Sequence, residues 1–351
     1  MSASQNRRVA VFGATGHTGR FVVQELLRRR FVPVAVGRSE AGLAAFAHRG
    51  IEIGIAYVEE AATLDRAFRD ATAVVNCAGP FLDTADAVAS AALRCGAHYL
   101  DVTAEQASAL ATLEAFDAAA RAAGVLVLPA MGFYGGFADL LATAAAGDWD
   151  HIDEIRIAIA LNHWHPTTGT RATGRRNTAP RVVIANRRLV PLSQAAAPVA
   201  WDFGEPFGRQ DMAEVPLSEV VLIARHLPTR ELHTYLNEAP LRDLGDAATP
   251  PPVTADETGR SAQIFHVDVR ARKGSSMRRL SARGRDIYAF TAPLICEAVI
   301  RISNGETRVV SGAYAPGSVF DSAGFLGAMV SAGHLQVTAE PRPAEETALL
   351  P

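Results

Sequence analysis

At 351 residues, with 49% hydrophobic and 20% charged side chains, the chain has the composition of an ordinary globular protein and length for about two domains. A net charge of −3 gives no electrostatic case for nucleic acid or an anionic membrane surface, and no apolar run approaches the ~18 residues a membrane helix needs. Cys77, Cys95 and Cys296 are scattered and lack metal spacing, and the leading MSASQNRR has no apolar signal region, so the chain reads as a cytoplasmic protein with reduced core thiols.

The first elements alternate short β-branched runs with alanine-rich helical stretches, the pattern of a doubly wound parallel sheet covered on both faces. Strands are predicted at Val9 to Phe12, Pro33 to Gly37, Glu52 to Tyr57, Ala73 to Cys77, His98 to Val102 and Val125 to Leu128. The first runs into Gly13-Ala14-Thr15-Gly16-His17-Thr18-Gly19, a glycine triplet followed by an amphipathic helix. Glycine there allows a tight turn, lets the backbone approach a pyrophosphate and permits close helix–strand packing, and the helix start offers N–H groups to an anion. This predicts a dinucleotide site. Ligands in such sheets lie beyond the carboxyl ends of the strands, so those ends hold the candidate chemistry.

The second strand ends in Gly37-Arg38-Ser39, where an NAD-preferring site usually carries an acid. Arg38 and Ser39 suit a 2′-phosphate and favour NADP(H) over NAD(H), with Glu40 as the competing ribose partner. The fourth strand ends in Asn76-Cys77-Ala78-Gly79-Pro80-Phe81, expected along the ribose and nicotinamide side of the cofactor. The fifth brings Asp101 and Thr103 to the same edge, with Asp101 read either as a catalytic acid or as a helix N-cap.

After Leu128 the pattern changes. Met131 to Phe137 is a glycine-rich crossing containing Tyr134, followed by a helix from Ala138 to Ala146 and a long strand from Glu154 to Trp164. Two hairpins (Arg181 to Ile184 with Arg188 to Pro191, and Gln263 to Ala271 with Arg278 to Gly284) and a strand at Leu232 to Asn237 predict a mostly antiparallel sheet. Pro240 to Gly259, with three consecutive prolines, reads as a linker or mobile loop. A helix from Thr291 to Ile302 brings the chain back. The expected domains are 1–135 for the dinucleotide, 136–289 as an inserted α+β unit for substrate and dimerisation, and 290–351 returning to the first domain with a disordered tail.

GATGHTGR, VAVGRS, VVNCAGPF, CGAHYLDVT, GFYGGFADLLA, Thr168-Gly169-Thr170 and GAYAPGSVFDSAGFL together resemble the saccharopine dehydrogenase-like oxidoreductases, which include saccharopine reductases and trans-acting enoyl reductases. The resemblance implies a Rossmann domain with an inserted α+β domain, a nicotinamide cofactor between them and assembly as a homodimer. It leaves the substrate open, since members act on imines and on enoyl chains.

Hydride transfer to a ketone requires an acid, commonly a tyrosine assisted by a lysine four residues on, and no tyrosine here has that partner because Lys273 is the only lysine. A C=N or C=C acceptor fits a site without such a pair. The catalytic candidates are Asp101, Tyr134, His163 and His165, the two histidines lying two residues apart on a predicted strand. No third ligand accompanies that pair, so no metal is expected. Arg171, Arg175 and Arg176 are candidates for neutralising an acidic substrate. The predicted activity is NADPH-dependent reduction of a C=N or C=C bond in a small or carrier-tethered metabolite, against the alternatives of an idle nucleotide sensor or an enzyme that retains its nucleotide.

Overall fold

The computed structural model describes residues 7–192 and 199–339. Seven strands, β1 (Arg8–Phe12), β2 (Val32–Gly37), β3 (Glu52–Ile55), β4 (Ala73–Asn76), β5 (His98–Asp101), β6 (Leu126–Leu128) and β15 (Gly312–Ala313), form the first sheet. All its pairings are parallel, in the order β15-β6-β5-β4-β1-β2-β3. Its central strands β1, β2 and β6 read as apolar runs because both faces are covered, whereas the edge strand β3 (EIGI) is partly exposed. Along β1 the pleat sends Val9 and Val11 into one core and Ala10 and Phe12 into another.

Helices α1 (His17–Arg28), α2 (Glu40–Ala47), α3 (Ala61–Phe68), α4 (Phe81–Arg94) and α5 (Gln106–Ala123) are the crossovers of this sheet. The strand order reverses beside β1, which pairs with β2 on one side and β4 on the other. A crevice therefore opens at the carboxyl ends of β1 and β4, where Phe12 lies opposite Asn76.

After β6 an irregular turn, Phe133–Phe137, with non-helical backbone at Tyr134 and Gly135, leads into α6 (Ala138–Ala146) and the second sheet. That sheet is built on β7 (Ile152–Leu161), α7 (Thr168–Arg176) follows it, and the hairpin β8 (Val182–Ala185) and β9 (Arg188–Pro191) comes next. Then come β10 (Val199–Asp202), β11 (Arg209–Glu214), α8 (Ser218–Ile223), β12 (Thr229–Asn237), α9 (Glu238–Gly245), β13 (Ile264–Lys273) and β14 (Ser276–Arg285). With the last strand, β16 (Gln336–Ala339), the main order is β10-β11-β12-β7-β13-β14-β16, antiparallel except for the parallel pair β12 and β7. Alternate residues Ile155, Ile157, Ile159 and Leu161 of β7 and Val267 and Val269 of β13 face the core that also contains Val9 and Val11. One apolar core thus runs from a face of the first sheet to the inner face of the second.

From α10 (Ile287–Ser303) onward the chain serves both sheets. Helix α10 lies on α1, where Arg29 bridges Glu25 (2.6 Å) and Glu297 (2.7 Å). After β15, helices α11 (Pro316–Val319) and α12 (Ser322–Ser331) lead to β16 (Gln336–Ala339), which pairs with β14. The expected tail lies outside the described residues.

Three expectations are corrected. The linker beginning at Pro240 instead begins inside α9, whose first turn holds that proline, a place where a missing N–H costs no helical hydrogen bond. Helix α10 starts at Ile287 rather than Thr291, because Asp286 caps it through Tyr288 N (3.1 Å) and Ala289 N (3.0 Å). Strand β7 ends at Leu161, so His163 and His165 lie in a loop beyond it.

Candidate active site

The glycine turn follows β1 as expected. Gly13 adopts φ +80° and donates to Val36 O (2.9 Å), which folds the chain back toward α1. A Cβ on Gly13 would stand 2.9 Å from Ala78 Cβ, and one on Gly19 only 2.2 Å from Gly13 O. Gly16 precedes α1 with no side-chain cap, and the first turn contains no acid. The N–H groups at the start of a twelve-residue helix are therefore left to an anion, with glycine clearing its approach. This cradle fits a dinucleotide phosphate held by residues 13–19.

At the end of β2, Arg38, Ser39 and Glu40 are exposed. Ser39 Oγ accepts from Gly42 N (3.1 Å) and caps α2, a role that leaves its hydroxyl proton to donate, so both proposed 2′-phosphate partners retain donors.

The turn after β4 is fixed by its own side chains. Buried Asn76 accepts from Ala78 N (2.9 Å) and donates to Thr84 Oγ1 (3.2 Å) and Tyr99 Oη (3.3 Å). Thr84 Oγ1 donates to Ala78 O (2.7 Å), and the Gly79–Pro80 bond is cis. Burial pushes the Cys77 thiol up to about 12, so it remains a neutral thiol beside the turn. Phe81 opens α4, but its N–H already donates to Glu105 Oε1 (2.8 Å), leaving α1 as the open helix terminus of the crevice.

Asp101 is fully buried. Its Oδ1 accepts from Thr103 N (2.9 Å) and Ala130 N (2.8 Å), and its Oδ2 accepts from Tyr99 Oη (2.9 Å). Burial raises its carboxyl from 3.8 to about 6 in spite of those donors. It is not the cap of α5, whose first turn follows Glu105. Rather, it ties the end of β5 to residue 130, where the glycine-rich crossing begins.

Tyr134 stacks on Trp164 (5.2 Å between ring centroids), and its buried hydroxyl has no hydrogen-bond partner among the described residues. Burial raises its pKa well above 10, so it is a neutral O–H. We expect Tyr134→Phe to leave stability unchanged or raise it by up to ~1–2 kcal/mol, since a stranded polar group is removed. Urea unfolding measures this, and turnover lost at undiminished stability would identify the hydroxyl as a reacting group.

His163 and His165 stand with ring centroids 4.4 Å apart, both half-buried, in a loop held by Gln263 Nε2 to His163 O (2.7 Å) and Trp164 N to Asp243 Oδ2 (2.9 Å). Burial, then the neighbouring His165, lowers the pKa of His163. No group of three metal-ligating side chains occurs among the described residues. Of the three arginines, Arg171 donates to Asp246 O (3.0 Å) and Thr249 O (2.8 Å), and Arg176 pairs with Asp83 (2.8 Å). Arg175 is exposed. Lys273 pairs with Asp150 at the far end of β13, away from the strand ends that form the crevice.

Sequence reasoning missed Tyr288 and the residues it gathers. Trp164 Nε1 donates to Tyr288 Oη (2.9 Å), Thr170 Oγ1 lies 2.9 Å from it, and the ring meets that of His17 edge-on at 5.4 Å. His17 also contacts Phe21 (5.3 Å), and burial lowers its pKa. Tyr288 was set aside because it lacks a lysine partner, and no local pattern links it to residues more than a hundred positions earlier.

Residues 9–128 match the family model of the saccharopine dehydrogenase NADP binding domain. Among solved structures, apo saccharopine dehydrogenase (L-Glu forming) from Saccharomyces cerevisiae shares the fold with a TM-score of 0.65 and 11% identity, over 95% of this chain and 100% of that one. GenD2 from gentamicin A biosynthesis, in complex with NAD, aligns over 95% of this chain and 96% of its own with a TM-score of 0.45 and 13% identity. Triphenylmethane reductase from Citrobacter sp., complexed with NADP(H), aligns over 49% and 64% with a TM-score of 0.30 and 18% identity. No protein of curated function matches the chain in sequence. No helix among the described residues is long and apolar enough to cross a membrane.

Proposed function

We propose that this chain, whose first domain is of the saccharopine dehydrogenase NADP-binding type and whose whole fold is that of a saccharopine dehydrogenase, is an NADP(H)-dependent reductase of a C=N or C=C bond. The observation that carries the reading is the glycine cradle at the uncapped start of α1, placed at the strand-order reversal of a parallel sheet. A bound nicotinamide supplies the hydride. The chain supplies the phosphate site at residues 13–19, the turn of residues 76–81 and the aromatic group Tyr134, Trp164 and Tyr288 beside it.

The acceptor class is argued from proton supply. Lys273 is bound to Asp150 and cannot assist a tyrosine of the crevice. Asp101 has both oxygens engaged in a fully buried position, which suits holding loops in place better than delivering a proton. An iminium arrives carrying its proton, and the enolate left by C=C reduction is quenched by a neutral acid such as the Tyr134 hydroxyl or by solvent. The substrate is a small or carrier-tethered metabolite.

NADPH consumption against a panel of imines and enoyl thioesters tests the reading. Turnover with a member of either class supports it, whereas tight NADPH binding without turnover favours the sensor. Mass spectrometry of the purified protein separates an exchangeable nucleotide from a retained one. Arg38→Glu is expected to weaken NADPH binding ~10- to 100-fold, the loss of a charge-assisted contact, with little effect on NADH. Calorimetry with both nucleotides checks this, and equal effects on the two would exclude Arg38 as the 2′-phosphate partner.

A further inference from the structure

The start of segment 164–176 is anchored by buried Trp164 and Pro166, but helix α7, against the carboxyl edge of the first sheet, has no buried residue. It is held by polar contacts. Thr167 caps the helix through Thr170 N (3.0 Å), Arg171 reaches two carbonyls, and Arg176 reaches Asp83 of α4. Thr173 rests on the turn after β4, so closely that a Cβ on Gly79 would come within 2.8 Å of its Oγ1.

The inward anchor of this segment is Tyr288. Its oxygen accepts from Trp164 Nε1 (2.9 Å) and from Thr167 N (3.4 Å), which leaves its single proton for Thr170 Oγ1 (2.9 Å). The edge of the same ring meets His17, the first residue of α1 and a member of the glycine turn. One side chain therefore touches the phosphate turn with its ring and docks the opposite wall with its hydroxyl. The wall itself spans from that contact to the turn of residues 76–81, the two places between which the nucleotide reading puts the ligand.

We propose that Tyr288 is a positioning residue that couples nucleotide binding at the glycine turn to the docking of segment 164–176, so that a bound nucleotide stabilises the docked form of the substrate-side wall. This rests on the nucleotide reading given above. A helix with no buried residue, held mainly by polar contacts, opens locally at lower free energy than the core, and a ligand that favours the docked form shifts that equilibrium.

Hydrogen exchange of the full chain, with and without saturating NADP⁺, tests the coupling. In the wild type NADP⁺ is expected to add protection both to peptides covering residues 13–19 and to those covering 164–176. In Tyr288→Phe the gain at 13–19 persists, while the gain at 164–176 falls by ~5- to 10-fold, the loss of one hydrogen bond. Thr170→Val removes the same hydrogen bond from the other partner and should reproduce the result if Tyr288→Phe fails to fold. A merely structural role would change the exchange of 164–176 without nucleotide and leave the NADP⁺-dependent gain intact. That outcome overturns the proposal, as does a wild type protected at 13–19 but not at 164–176. Absence of protection at 13–19 would instead overturn the nucleotide reading, and the coupling with it.

Discussion

Gly19→Ala is expected to abolish measurable NADPH binding, a loss of more than ~100-fold, with a fall in stability on the order of 1–3 kcal/mol. The added Cβ would stand 2.2 Å from Gly13 O and 2.9 Å from Ala14 Cα. Both are backbone atoms of the turn, so no rotamer change relieves the clash and the turn itself must move. Those atoms also determine where the first N–H groups of α1 point, which is why a packing defect becomes a binding defect. Gly50→Ala serves as the control. Gly50 adopts φ +72° with open space around its Cβ position, so alanine there brings only the left-handed backbone cost of ~1 kcal/mol and should leave binding intact. Calorimetry and urea unfolding on both variants test the pair, and a Gly19→Ala protein that binds NADPH within threefold of wild type would refute the cradle.

The glycine turn and the six strands of the first domain were legible because their causes are local. Val9 to Phe12 is apolar on both faces because helices cover both, and Gly13 is required by a positive φ within the turn itself. Segment 168–176 was not legible as a helix, since TGTRATGRR combines two glycines with three threonines of poor helix propensity and buries nothing. Its cap at Thr167 and its tether to Tyr288 maintain it. Strand β11, RQDMAE, shows no clean alternation because its ladder partners, not its composition, place it in the sheet. The histidine pair shows the converse. Its residues were rightly seen as neighbours, but the strand alternation invoked for them does not apply to a loop, where Gln263 and Asp243 hold the backbone. What remained hidden at the site is tertiary: Tyr288, Trp164 and His17 meet through contacts that no sequence spacing encodes.

Asp101 offers a pH signature at the site itself. Burial raises its folded-state carboxyl to about 6, against 3.8 for the ordinary group, so the folded chain binds this proton more tightly than the unfolded one. The stability it contributes is fully present below pH 3.8 and is lost as the pH rises through 6. Comparing wild type with Asp101→Asn in urea at pH 4, 5, 6 and 7 isolates that contribution, because other titrating groups are common to both proteins. The wild type is expected to gain on the variant by on the order of 2 kcal/mol between pH 7 and pH 4. A difference that stays flat, or that changes with the opposite sign, would mean that the three donors on its oxygens outweigh burial and that Asp101 is an ordinary ionised carboxylate. The result bears on the site because Met131 N donates to Asp101 O (2.6 Å) and Ala130 N to its side chain. The protonation state of one buried acid thus acts on the strand end from which the crossing with Tyr134 departs.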